Sequence, residues 1–191
     1  MITAATASAA NRTNTRSWRT TSRYAASSPN QVAAKDLKEL VAWLKANPDK
    51  IPGGTAGMGS GSHLGALAFF AATGTTYQLI PYRGTGPAMQ DLVANQIQVM
   101  VDQSSNSLPQ VRAGKIKAFG ITAKTRSPAA PEIPTFTEAG FGDFDASAWF
   151  GLFAPAATPR EVIVKLNGEA AKALAASELR DHFQRAGFEP I

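Results

Sequence analysis

The chain has 191 residues, 44% of them hydrophobic and 17% charged, with no cysteine and a formal net charge of +5. This is the composition of a globular protein that can bury a core. The absence of thiols excludes disulfides, thiolate metal sites and cysteine nucleophiles, and no apolar run reaches the roughly 18 residues of a membrane span. The positive charge is concentrated at the front. Arg12, Arg16, Arg19 and Arg23 stand in residues 1–30 without an acid, whereas the remainder holds 15 Lys/Arg against 14 Asp/Glu. A near-neutral body argues against a nucleic-acid partner.

In chain order, residues 1–31 are small and polar with no sustained period, and read as a disordered or irregular basic tail. No secretory leader is visible in residues 1–10, which lack an apolar stretch. Leu37, Leu40, Val41 and Leu44 then recur at helical spacing and predict a helix over 35–47, stopped at Asn47-Pro48. A glycine-rich segment over 53–63 follows, and Leu64, Leu67, Ala68 and Ala71 open a second helix. Residues 77–81 predict a short strand, and Pro87 suits the first turn of a helix running to about Asn95. The best strand covers 97–101 and ends at Asp102. A serine-rich turn leads to a helix closed by Gly114, and 115–121 predict another strand.

Residues 122–146 form a long proline-bearing connection with at most one helical turn near 135–139. Residues 148–154 are apolar throughout, as in a buried strand. Thr158, Pro159 and Glu161 start a helix to about Ala175 that is expected to bury Val162, Ile163, Leu166 and Ala170. A last helix starts at Ser177 and ends before Gly187. Strands alternating with helices predict an α/β fold with a mainly parallel sheet.

Ligands of such sheets sit where strands end and helices begin. In the first loop, Gly57 and Gly59 let backbone approach a ligand, Ser60 and Ser62 add hydroxyls, and Met58 and His63 lie alongside. The helix that follows offers unpaired amides to an anion. A phosphate loop is excluded because no Gly-Lys-Ser/Thr follows, and a dinucleotide fingerprint breaks at Ser62. In the second loop, Tyr82, Arg83, Gly84 and Thr85 precede a helix start. Arg83 taken alone is a solvated surface charge, and beside the first loop it can shape an anion site. In the third, Asp102 either accepts from a ligand or caps the next helix. Catalysis finds little support: the two histidines, His63 and His182, have no matched acid, base or nucleophile. Metal-ligand spacing is absent. A binding role without cofactor follows.

The segments TAGMGSGSHL (55–64), PYRGTGPA (81–88) and VMVD (99–102) closely resemble the substrate-binding proteins of tripartite tricarboxylate transporters, the TctC or Bug family. So do RAGK (112–115), TAKTRSP to PTFTEAG (122–140) and AWFGLFAP (148–155). The resemblance covers about 27–191. It implies a periplasmic-binding-protein-like (type II) two-lobed fold, a small carboxylate ligand, transporter membrane subunits as partners and a periplasmic location. By position it places Gly57, Met58, Gly59, Ser60, Ser62, His63, Tyr82, Arg83, Gly84, Thr85 and Asp102 at the ligand.

Against family members the first lobe is largely missing. Residues 32–146 are expected to form the second lobe and 147–191 a remnant of the first. Phe150, Leu152 and Phe153 would then expose apolar surface and favour a homodimer. Two other readings stay open: a non-functional truncated pseudo-protein, and a nucleotide-binding enzyme domain using the glycine loop.

Overall fold

The computed structural model describes residues 19–142 and 144–190. Its elements are β1 (Arg19–Pro29), α1 (Leu37–Ala46), β2 (Pro52–Thr55), α2 (Gly61–Thr73), β3 (Gln78–Pro81), α3 (Thr85–Val93) and β4 (Val99–Gln103). They continue with α4 (Ser104–Arg112), β5 (Ile116–Ile121), β6 (Ser147–Gly151), α5 (Arg160–Ala175), α6 (Ser177–Arg185) and β7 (Phe188–Pro190).

The main sheet has the order β3-β2-β4-β1-β5. β2 pairs parallel with β3 and with β4, while β1 pairs antiparallel with both β4 and β5. Four strands therefore point one way and β1 runs against them, so the sheet is mixed. Helices cover both faces. Leu37, Leu40 and Leu44 of α1 and Phe69 of α2 join Tyr24, Ala26, Val99 and Val101 in one core. On the opposite face Leu92 of α3 packs with Met100, and Leu108 of α4 packs with Ala25 and Ile121. Alternate residues of β1 and β4 thus supply alternate faces, as strand geometry requires.

β1 corrects the expected tail. Residues 1–18 lie outside the described residues, but 19–29 form the strand on which the molecule is assembled. Its second half pairs β4 and β5 from Tyr24 to Pro29. Its first half pairs β6 over Arg19 to Arg23 and β7 over Thr20 to Ser22. The α/β body therefore begins before Val32. The strand was hidden because Ala25, Ala26, Ser27 and Ser28 are small and show no apolar alternation, yet all four are buried. Small residues let helices approach closely from both sides, and such tertiary context overrides β propensity.

β2 is another strand of unpromising sequence. A Cβ on Gly53 would lie 2.2 Å from the Tyr77 ring, and one on Gly54 would lie 2.5 Å from Ile97 Cδ1. Here glycine is required because neighbouring side chains occupy the space. α2 also departs from its pattern: Phe69 and Ala66 face the core, while Leu64 and Leu67 are exposed. The helix is apolar all round, so periodicity could not select its buried side.

The C-terminal helices carry the second correction. α5 and α6 contain no buried residue. Val162 and Leu166 are exposed, and Ile163 and Ala170 are only half-buried, because none of the described elements covers that stripe. Leu152 and Phe153 are also exposed, whereas Phe150 is half-buried and packs edge-on against Phe188. The segment docks through Gly187, whose carbonyl accepts from Ser104 Oγ at 3.4 Å, and through Arg185, whose carbonyl accepts from Arg112 at 2.6 Å.

Candidate functional site

The parallel trio β3-β2-β4 brings the three loops of interest to one edge. Thr55 is in register with Pro81, and Gly54 with Met100. The chain therefore leaves all three strands at the same end and enters α2, α3 and α4 there. Each of these helices begins with amides that have no intrahelical acceptor and a partial positive charge.

In the first loop, Gly57 has φ 108° and Gly59 φ 74°, conformations that disfavour any side chain. A Cβ on Gly57 would also approach the Tyr82 carbonyl oxygen to 3.2 Å, so the first and second loops touch there. The Tyr82 amide donates to the Thr55 carbonyl at 2.9 Å, locking the two loops together.

Ser60 is the N-cap of α2 and accepts from the His63 amide at 3.3 Å. Ser62 Oγ accepts from the Ala56 amide at 2.7 Å and lies 3.2 Å from Ser60 Oγ. One hydroxyl proton suffices for that mutual bond, so the pair keeps a second proton to donate outward. His63 is buried and its Nδ1 accepts from the Gly59 amide at 3.1 Å, which puts the proton of the neutral ring on Nε2. Met58 is 74% exposed at the loop tip.

In the second loop, Gly84 is the N-cap of α3 with φ 109° and supplies no side-chain cap. Pro87 has no N–H, so the Thr85 and Gly86 amides are the donors this helix end presents. Arg83 is exposed and makes no ion pair among the described residues. Tyr82 is placed differently from expectation. Its hydroxyl donates to Asp91 Oδ2 at 2.7 Å and its ring packs against the α3 core. Burial, with that bond and the Asp91 charge, pushes its pKa up to about 12. Its backbone amide is what ties the second loop to the first.

In the third loop, Asp102 is buried at the end of β4. It accepts from the Gln103 amide and from Asn106 Nδ2 at 2.9 Å. Burial pushes its pKa up to about 6, while those two bonds pull against the rise. Its side chain is held against the first turn of α4, where the Ser105 amide donates to Ser22 Oγ at 3.4 Å.

Beside the three loops stand Tyr24, which the sequence pattern does not single out, and Gln103 of the third loop. They are cross-strand partners on β1 and β4, both facing α2. A Cβ on Gly61 would lie 2.9 Å from Tyr24 Oη and 3.3 Å from Gln103 Nε2, and one on Gly65 would meet the Tyr24 ring at 3.0 Å. Two glycines one turn apart thus form a trough for the tyrosine. That spacing, and a lone aromatic between Trp18 and Trp43, were the available signals. Two pockets of about 330 and 390 Å³ lie elsewhere, against α6, and contain none of these loop residues. Among the described residues no cluster of acids and histidines fit for a metal is present.

An α/β body with a mixed sheet and the loops of its parallel strands gathered at one edge is the architecture of periplasmic binding proteins. MatC (Rpa3494) from Rhodopseudomonas palustris, solved with bound malate, superposes with a TM-score of 0.82 at 36% identity. That match covers 88% of this chain and 57% of MatC. Rpa4515 of R. palustris, solved with adipate, gives a TM-score of 0.87 at 26% identity, covering 91% and 58%. Among curated sequences, a UPF0065 protein in the tcbD-tcbE intergenic region of Pseudomonas sp. (strain P51) is 35% identical over 156 residues, 81% of this chain and 46% of the relative.

The model of the tripartite tricarboxylate transporter family receptor, TctC, matches residues 19–191. The chain belongs to this family of solute-binding receptors. It spans about half the length of the curated relatives it matches.

Proposed function

We propose that this chain binds a small carboxylate at the edge formed by α2, α3 and α4, as the ligand-recognition part of a transporter receptor. The observation that carries this reading is the convergence of three helix N-termini on parallel strand ends. The α3 end lacks a side-chain cap, the α4 end has none from its own N-cap residue although its Ser105 amide donates to Ser22 Oγ at 3.4 Å, and Gly57, Gly59 and Gly84 keep the backbone open. Amides so placed suit a carboxylate better than a cation. The malate of MatC and the adipate of Rpa4515 are the ligand class this chemistry fits.

The site residues of this reading are Gly57, Met58, Gly59, Ser60, Ser62 and His63 on the first loop, Tyr82 backbone, Arg83, Gly84 and Thr85 on the second, and Asp102 as support beneath the third. Family membership extends the reading to a periplasmic location and to membrane subunits of a tripartite tricarboxylate transporter as partners. Calorimetric titration with malate, adipate, succinate and citrate tests it. Saturable binding of one acid, lost in Gly57→Val, is expected; no heat and no thermal shift with any of the four defeats the proposal.

A further inference from the structure

Tyr24 lies outside every loop considered above, yet its side chain ends at the carboxylate edge. The residue is only 6% exposed, its ring fills the trough of Gly61 and Gly65, and its hydroxyl makes no hydrogen bond among the described residues. The hydroxyl oxygen is not one of the fully enclosed side-chain atoms left without a partner, so it keeps an opening toward the edge. Here the oxygen stands 2.9 Å from the point where a side chain on Gly61 would begin, in the first turn of α2, with Gln103 Nε2 3.3 Å from the same point. A side chain at 61 would begin against the tyrosine oxygen, which would have to shift to admit it.

We infer that Tyr24 is a specificity-determining ligand contact: its hydroxyl, delivered from β1 beneath α2, donates to the ligand carboxylate beside the amides of Gly61 and Ser62. Three donors then converge, namely the hydroxyl, the carboxamide of Gln103 and the helix terminus. A donor is needed there, and the phenol remains one, since burial and the neighbouring Asp102 charge both hold its proton on. The other groups around it are neutral or apolar: Gln103 across the strand pair, Ala66 and Phe69 on α2, and Thr122, whose Oγ1 accepts from the Tyr24 amide at 2.9 Å. No cation is required. The position also favours ligands with an oxygen in reach of both Tyr24 and Gln103, so a compact hydroxy-diacid such as malate should outrank adipate.

This inference rests on the carboxylate reading, and its test separates the two. Malate and adipate affinities are measured by calorimetry for the wild type, Tyr24→Phe, and the double variant Tyr24→Phe/Gly61→Ser. The phenylalanine variant keeps the ring packing, so its melting temperature should stay within about 2 °C of wild type. Its malate affinity should fall at least about tenfold, the loss of one hydrogen bond to a charged group. Without the phenol oxygen, the nearest atom of residue 24 to a Cβ at 61 is a ring carbon at 3.8 Å, and Gln103 Nε2 at 3.3 Å need give by only a few tenths of an ångström. A serine at 61 then restores a hydroxyl, and the double variant should regain most of the affinity.

Wild type binding malate while Tyr24→Phe binds it within twofold overturns the tyrosine contact and leaves the receptor reading intact. A double variant as weak as the single one overturns the placement of the hydroxyl at Gly61. A wild type that binds neither acid overturns both.

Discussion

Two apolar helices of this chain, α2 and α5, have opposite fates. α2, of 13 residues, buries Ala66 and Phe69 against a sheet that was built before and after it in sequence. α5, of 16 residues, carries a comparable stripe of Val162, Ile163, Leu166 and Ala170, and buries none of them. A pattern in the sequence says that a face wants cover; only tertiary structure says whether cover arrives. Stability should therefore be very unevenly distributed, high in the α/β body and low in the C-terminal segment.

The largest effect expected to sharpen that contrast comes from the body. Phe69→Ala removes a fully buried ring that packs edge-on to Phe136 at 5.8 Å. It should cost about 3–5 kcal/mol in urea unfolding. An effect below about 1 kcal/mol would break the picture of a consolidated core.

Next is Asp102. Its folded pKa of about 6 lies above the ordinary aspartate value of 3.8, so the folded state holds the proton more tightly. Its contribution is fully present below about pH 4 and is lost as pH rises through 6, at most roughly 3 kcal/mol. Asp102→Asn should raise stability at pH 7 by on the order of 1–3 kcal/mol and flatten the pH dependence between 4 and 6. Titration of unfolding free energy against pH for both proteins checks this. A variant destabilised at pH 7 would show that the carboxylate is held charged. The smallest effect belongs to the C-terminal segment: Leu166→Ala, 57% exposed, should change stability by less than about 0.5 kcal/mol. A cost of 2 kcal/mol would mean that the stripe is covered in solution.

Much of the architecture was legible. α1 follows from its four leucine and valine positions, all buried, together with the Asp36 cap that accepts from the Glu39 amide at 2.8 Å. β4 follows from its apolar run, and the three helix starts from glycine, serine and proline placed at strand ends. What escaped notice was decided by distant partners. β1 is a strand because β4, β5, β6 and β7 flank it, not because of anything in Tyr24 to Ser28. Tyr82 is expected at the ligand from its loop position, and nothing local shows that Asp91, nine residues on, takes its hydroxyl. Tyr24 went unnoticed because its two glycine neighbours sit about forty residues later.

β1 is one unbroken ribbon shared by two sets of partners, and the changeover falls between Arg23 and Tyr24. Any torque that turns β6 and β7 relative to the main sheet must be absorbed at that junction, since the hydrogen-bonded ladders on either side resist shear. The phenol is mounted on the first residue past it. Twisting the ribbon would swing that oxygen like the pointer of a torsion balance, so a ligand gripping it would register strain from the far end of the molecule.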